Sequence, residues 1–195
     1  MPLVALPAGF TLVIDCAAWG TFHVLAGLLS RGLPAVLVQP AGRLYRTRAW
    51  ERGGAFYRSV LRIHRWKSRL PECGEVFGRG FSKRRLRSRK PAYLAQFCME
   101  TSRGELCHWL SAAPAPLFFL WNHWAVGALM LVYAVIVNVP FIAVQRYNRA
   151  RLGRVLSRAG GGEARGGAAR ILAYASRDCV EPLDPAAHLG GGWRH

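Results

Sequence analysis

The sequence predicts an α-helical integral membrane protein with about three transmembrane helices, a basic cytoplasmic helical segment and a disordered C-terminal tail. Three observations carry this. First, charge is confined to blocks: of the 27 Lys and Arg residues, 18 fall between Arg31 and Arg103 and 9 from Arg146 onward. Second, the acidic residues follow the same map, apart from Asp15. Third, hydrophobic residues reach 52% in a chain of net charge +17. A soluble nucleic-acid binder shares the basicity but seldom the apolarity, and the basic stretches carry neither an aromatic platform nor a known module, so no nucleic-acid partner is expected.

The first apolar block, Leu3 to Leu29, is long enough to cross a bilayer once. The second, Leu106 to Val144, holds 39 residues, about 58 Å of helix, or two crossings of a ~30 Å core. Its expected turn is "WNHW" (Trp121–Trp124), with tryptophans at the lipid–water boundary and Asn122 and His123 in water. The predicted spans are 8–29, 107–121 and 124–145, within a membrane domain 1–156. "PAP" (Pro114–Pro116) makes the second span short and either kinked or re-entrant. The positive-inside rule puts segment 31–105 and the C-terminus in the cytoplasm and the N-terminus outside a multi-pass cell-membrane protein. "MPLVALPAGF" lacks the positive n-region of a signal peptide, which favours an anchor over a cleaved leader. Five cysteines without a C-x-x-C pair read as free thiols, with neither disulfides nor a metal site expected.

Within the cytoplasmic segment, Arg58, Arg62, Arg65 and Arg69 recur at helical spacing, with Phe56, Val60 and Ile63 between them. This predicts one amphipathic helix, starting after Gly53-Gly54 and stopped by Pro71, that lies in the headgroup plane or packs on a small core. The run Lys83–Lys90, six of eight basic, reads as a membrane-attracted loop or a weak phosphate site. The Gly/Ala-rich stretch 157–195 reads as a largely disordered tail.

The polar residues that bracket the second apolar block carry the candidate chemistry. On a helix, Glu105 and His108 share a face, and Glu100 and Arg103 form a neighbouring stripe. A carboxylate can orient an imidazole and raise its basicity, so His108 could serve as a general base with Glu105 as its partner; the plainer alternative is a pair that solvates a helix end. Arg103, Arg146 and Arg149 could stabilise an oxyanion or hold donor phosphates, or act as ordinary stop-transfer charge. Asn138, deep in the third span and two residues before Pro140, needs a partner there, and the proline leaves a carbonyl nearby.

The strings "METSRGELCHW", "NVPFIAVQRYNRARL", "HRWKSRLPE" and "FSKRRL" resemble the glycosyl-4,4'-diaponeurosporenoate acyltransferases, small bacterial membrane proteins of carotenoid biosynthesis, over roughly residues 10–156. The resemblance implies an O-acyltransferase that esterifies the 6-hydroxyl of a glucose on a carotenoid acid with a long-chain fatty acyl group. Catalytic candidates are then His108, Glu105, Arg103 and Glu100. Substrate-binding candidates are Thr101, Trp109, Trp66, Asn138, Gln145, Arg146, Tyr147, Asn148 and Arg149, with Trp109 and Trp66 stacking on sugar or polyene. No cofactor is implied; the partners are membrane lipid, the glycosylated carotenoid, a fatty acyl donor on an unidentified carrier, and other enzymes of the pathway. Two alternatives stay open: an acyltransferase for another membrane glycolipid, and a non-catalytic scaffold for pigment enzymes.

Overall fold

The computed structural model describes residues 4, 7–71, 88 and 90–159, and among them the regular structure is helical throughout. Most of the run Lys83–Lys90, the tail from residue 160 on, Cys73 and Cys179 lie outside the described residues. Helix α1 spans Ala8–Gly32 and ends where Leu33 turns extended ahead of Pro34, a residue that cannot continue a helix. Two short helices follow, α2 at Ala55–Ser59 and α3 at Ile63–Trp66. Then come α4, Pro91–Ala112, and α5, Trp124–Ala159.

Two of these, α1 and Trp124–Leu156 within α5, are long and apolar enough to cross a membrane by length and composition. Only 17% and 22% of their apolar windows are buried inside the protein. Two helices with so much outward apolar surface suggest membrane association, since water would penalise it.

The expected second span, 107–121, does not form as one helix. Leu106–Ala112 is the last part of α4, which has begun well before at Pro91, a proline at the helix start where its missing N–H costs nothing. Pro114 and Pro116 then break the α pattern, and Ala115–Leu120 winds as a 3₁₀ segment back to α5. The third predicted span continues past residue 145 to Ala159, so 157–159 are helical and not tail. Pro140 sits inside α5 without ending it.

Helices α4 and α5 form an antiparallel hairpin. Its open end is closed by Leu94, Phe97 and Cys98 of α4 against Leu152 and Leu156 of α5. At the turn, Trp19 of α1 stacks on Phe118 at 4.8 Å and packs with Ala134, while its indole donates to Met130 Sδ at 3.3 Å. Asn122, expected in water, is instead 2% exposed and donates to Asp15 Oδ1 of α1 at 2.8 Å. Trp121 Nε1 donates to the same oxygen at 2.7 Å. Asp15, the one charge in the first apolar block, is thus the socket that seats the turn: a buried carboxylate must be paired, and two N–H donors pair it.

The predicted amphipathic helix over 55–70 is also broken. Arg62 adopts the left-handed region (φ 48°, ψ 37°), which separates α2 from α3. The kink lets Tyr57 and Ile63 both reach Ala143 and Tyr147 of α5, which one straight helix would not allow. Burial of that cluster, at about 25 cal/mol per Å² of apolar surface, outweighs the roughly 1–2 kcal/mol of left-handed backbone. Arg58, Arg62, Arg65 and Arg69 are all exposed, but the break at Arg62 removes the single helix face that would align them.

Candidate functional site

The predicted residues that meet between α4 and α5 form two neighbouring layers. The deeper layer, toward the turn, is built on His108. Its Nδ1 lies 3.1 Å from Asn138 Oδ1, and its ring stacks on Phe141 at 4.6 Å with the planes 15° apart. Asn138 is 1% exposed, and its Nδ2 donates to the Ala134 carbonyl at 3.0 Å. That second bond fixes the amide: the nitrogen faces the carbonyl, so the oxygen faces the imidazole. An amide oxygen only accepts, so Nδ1 carries the proton and, in the neutral ring, Nε2 carries the lone pair. The partner predicted for Asn138, the carbonyl released by Pro140, is corrected to the Ala134 carbonyl and His108.

Asn138 also lines an apolar groove of about 480 Å³ between the end of α4 and the middle of α5. Trp109 and Ala112 form one wall, and Leu131, Val135 and Val139 form the other. The groove is open to the outside and almost wholly apolar, with Asn138 at its polar point.

The second layer lies nearer the basic end of the hairpin, about one turn away along α4 and two to three turns along α5, and is ionic. Glu105 is fully buried. Its Oε1 receives Arg146 Nη1 at 2.6 Å and Trp109 Nε1 at 3.3 Å, and its Oε2 receives Arg149 Nη2. Arg146 also pairs with Glu51 Oε1, 2.7 Å from Nη2. The two arginines bind the loop before α2 as well: Arg149 Nε donates to the Tyr45 carbonyl at 2.9 Å, and Arg146 Nη1 to the Leu44 carbonyl at 3.3 Å. Two carboxylates and two guanidiniums balance in charge, as buried charges must. Mechanically, this cluster staples α4, α5 and the loop together.

The other candidates are placed as follows. Arg103 pairs with Glu100 at 3.3 Å, and its Nη1 meets the carbonyls of Ser30 at 2.5 Å and of Arg31 and Leu33 at 3.1 Å, capping the end of α1. Thr101 is buried and donates to the Cys98 carbonyl at 2.6 Å. Tyr147 is buried in the cluster with Tyr57 and Ile63, and Trp66 packs on that cluster while donating to the Leu61 carbonyl at 2.8 Å. Lys67 Nζ lies over the Tyr147 ring at 5.4 Å and reaches Asn148 Oδ1 at 3.5 Å; burial holds its ammonium pKa below the usual range. Gln145 Oε1 is buried with no hydrogen-bond partner among the described residues. Only His108, Asn138 and Trp109 of the predicted set belong to the groove layer. Among the described residues, no three His, Cys, Asp or Glu side chains come together as a metal site would require.

Three participants were not anticipated: Glu51, Tyr45 and Phe141. Glu51 had a signal, as a lone acid amid Arg43, Arg46, Arg48 and Arg52. Tyr45 contributes a backbone carbonyl, which no side-chain pattern reveals. Phe141 lies three residues beyond Asn138, one turn along the same face of α5.

The fold and site define a helical protein with two bilayer-length apolar helices and an imidazole–amide pair beside an apolar groove. The sequence model of one family, glycosyl-4,4'-diaponeurosporenoate acyltransferase, matches residues 41–158. The protein of that name from Staphylococcus haemolyticus (strain JCSC1435) is 30% identical over 140 residues, covering 72% of this chain and 81% of its own. Those from Staphylococcus aureus strains N315 and NCTC 8325 are each 31% identical over 113 residues, covering 58% of this chain and 68% of theirs. The chain belongs to the glycosyl-4,4'-diaponeurosporenoate acyltransferase family. It is accordingly an acyltransferase of carotenoid biosynthesis. No solved structure matches it.

Proposed function

We propose that the chain esterifies a sugar hydroxyl of a glycosylated carotenoid acid with a long-chain fatty acyl group, at the cytoplasmic face of the cell membrane and with its N-terminus outside. The observation that carries this reading is the His108–Asn138 pair beside the apolar groove. The pair supplies a base whose proton-accepting nitrogen is set by a fixed hydrogen bond, and the groove supplies a hydrocarbon environment next to it. The basic residues from Arg146 onward mark the water boundary close by, where a lipid-dissolved acceptor presents its sugar.

In the reaction, Nε2 of His108 takes the proton of the sugar hydroxyl as that oxygen attacks the acyl carbonyl carbon. The tetrahedral intermediate collapses, the acyl–carrier bond breaks, and the leaving group departs with the proton from the imidazolium. Asn138 holds the ring in the productive tautomer and accepts from Nδ1–H while the ring is charged. Glu105, Arg146 and Arg149 act here as positioning residues: the Glu105 carboxylate binds both guanidiniums and these bind the loop, while Nη1 of Arg149 is buried with no hydrogen-bond partner among the described residues. Arg103 and Glu100 position α1 against α4.

The test is production of the chain in a bacterial host that makes the glycosylated carotenoid acid, followed by mass measurement of pigments and glycolipids. Wild type is expected to add one fatty acyl mass to the pigment. His108→Ala is expected to lower that rate by about 10²–10⁴-fold, the usual worth of a positioned general base, while still inserting in the membrane. An acyl increment on a different glycolipid would move the acceptor, and none on any lipid would leave a scaffold.

A further inference from the structure

We infer that Lys67 and Arg151 form a site for the phosphate of an anionic phospholipid headgroup, on the side of α5 away from the groove. The inference needs α5 to cross the membrane and is independent of acyl transfer.

The distribution of charge singles this pair out. The described residues hold four acids, and each is engaged elsewhere: Asp15 by Trp121 and Asn122, Glu51 by Arg146, Glu100 by Arg103, and Glu105 by Arg146 and Arg149. Neither 52–71 nor 106–162 contains an acidic residue. Lys67 and Arg151 come from those two stretches, and no carboxylate pairs with either among the described residues. Yet Lys67 is half-buried. Its ammonium lies 5.4 Å over the Tyr147 ring and uses one of its three donors on Asn148 Oδ1 at 3.5 Å. Burial, and after it the charge of Arg151, holds its pKa below the usual range. Two cations held close on a partly dry surface, with N–H donors left over, favour an anion between them. A phosphodiester has two unesterified oxygens and suits an ammonium beside a guanidinium fork.

Position selects a lipid over a free phosphate. Helix α5 begins at Trp124, which is 70% exposed and suits a lipid–water boundary. From there to Asn148 is about 36 Å along the helix axis. A ~30 Å hydrocarbon core then leaves Asn148, and Lys67 with it, in the headgroup zone, which extends about 5–8 Å further. Exposed apolar side chains lie close in the chain. Val60 and Leu61 are 63% and 39% exposed, and the indole of Trp66, the neighbour of Lys67, donates to the Leu61 carbonyl at 2.8 Å. Aliphatic surface next to a cation matches an amphipathic lipid, whereas a free phosphate gains nothing from it. The groove is not involved. Tyr147 follows Asn138 by nine residues, two and a half turns, and so faces the opposite side of α5.

The experiment uses the full chain in a neutral detergent with phosphatidylglycerol or phosphatidylcholine added. Lipid retention is read by native mass spectrometry and the unfolding temperature by circular dichroism. Wild type is expected to retain phosphatidylglycerol, and to melt higher with it than with phosphatidylcholine. Lys67→Gln combined with Arg151→Gln should weaken phosphatidylglycerol binding about 25-fold, at about fivefold per cation near a lipid surface. Arg58→Gln combined with Arg65→Gln removes the same charge from exposed neighbours and should leave binding near wild type. If the first double variant does not fold, Arg151→Gln alone, at an exposed position, decides with its fivefold loss. Binding that survives the Lys67 and Arg151 changes, an equal loss in both double variants, or no preference for phosphatidylglycerol in wild type overturns the site. Inorganic phosphate that raises the melting temperature as much as phosphatidylglycerol does overturns the assignment to a lipid.

Discussion

Replacing Glu105 with Gln removes the negative charge at the centre of the staple while keeping the side chain's size. Glu105 is fully buried, and Arg149, 5% exposed, depends on it for charge balance; Arg146 keeps Glu51. The cost therefore falls on one buried guanidinium left facing a neutral amide. Breaking a buried pair from one side costs about 3–5 kcal/mol. For a chain of this length, each kcal/mol moves the melting temperature by about 2–4 °C, so E105Q should melt roughly 6–20 °C below wild type. The measurement is thermal unfolding of the detergent-solubilised protein by circular dichroism, alongside pigment acylation in membranes. Adding Arg149→Met removes the orphaned charge, and the double variant should recover about 0.5–3 kcal/mol relative to additivity. An E105Q protein that melts like wild type yet is inactive would refute the staple and return Glu105 to direct action on substrate.

Asn138→Leu leaves the Nδ1 position of His108 without its acceptor, at about 1–3 kcal/mol, and kcat should fall about tenfold per 1.4 kcal/mol with KM little changed. Cys98 is buried and its thiol is pushed up to about 12 by that burial, with Arg149 partly opposing; it should resist maleimide at pH 8 in the native protein and label once unfolded in SDS. Tyr57 is pushed up to about 12, first by burial and then by the charge of Glu51. Its neutral form is favoured on folding, so its contribution is whole below pH ~10 and is lost as pH rises toward 12; Tyr57→Phe should flatten the base-induced loss of stability in that window. Gly54 has φ +97°, and a Cβ there would meet Ala150 Cβ at 3.2 Å; Gly54→Ala should destabilise by about 1–2 kcal/mol or more, read as an earlier denaturation midpoint.

The gross architecture was legible because membrane-length apolarity is a property of the sequence itself. α1 and the start of α5 fall within three residues of the blocks that Arg31 and the tryptophan pair delimit. The second span differs from its expectation because apolarity bounds a span and not the helix that carries it: α4 starts at Pro91 and uses its polar half to pack on the extension of α5, and it ends at Ala112 before the prolines. The break at Arg62 left no trace, since arginine favours helix and only the packing of Tyr57 and Ile63 on α5 imposes the kink. For the site, the Glu-x-x-His spacing pairs two residues that the structure engages separately, His108 with Asn138 and Glu105 with Arg146 and Arg149. Helix α5 runs antiparallel to α4, so one turn along α4 exchanges Asn138 for Arg146 and Arg149 as the facing residue. Glu105 and His108 share a face and are engaged by different layers, a fact about register between helices that spacing within one helix cannot carry.

The two clasps on α1 have a further consequence. Asp15 holds it to the turn of the hairpin, and Arg103 holds its last carbonyls to α4. With 25 residues, α1 is about 37 Å long, more than the ~30 Å core of a typical bilayer. A lone helix of that length would relieve the mismatch by tilting independently. Pinned at its last turn and about 10 Å in from its first residue, α1 can tilt only with the hairpin, so membrane thickness acts on the bundle as a whole. A thinner or thicker bilayer would then change the depth at which the His108 layer rides and leave the angle between the helices alone.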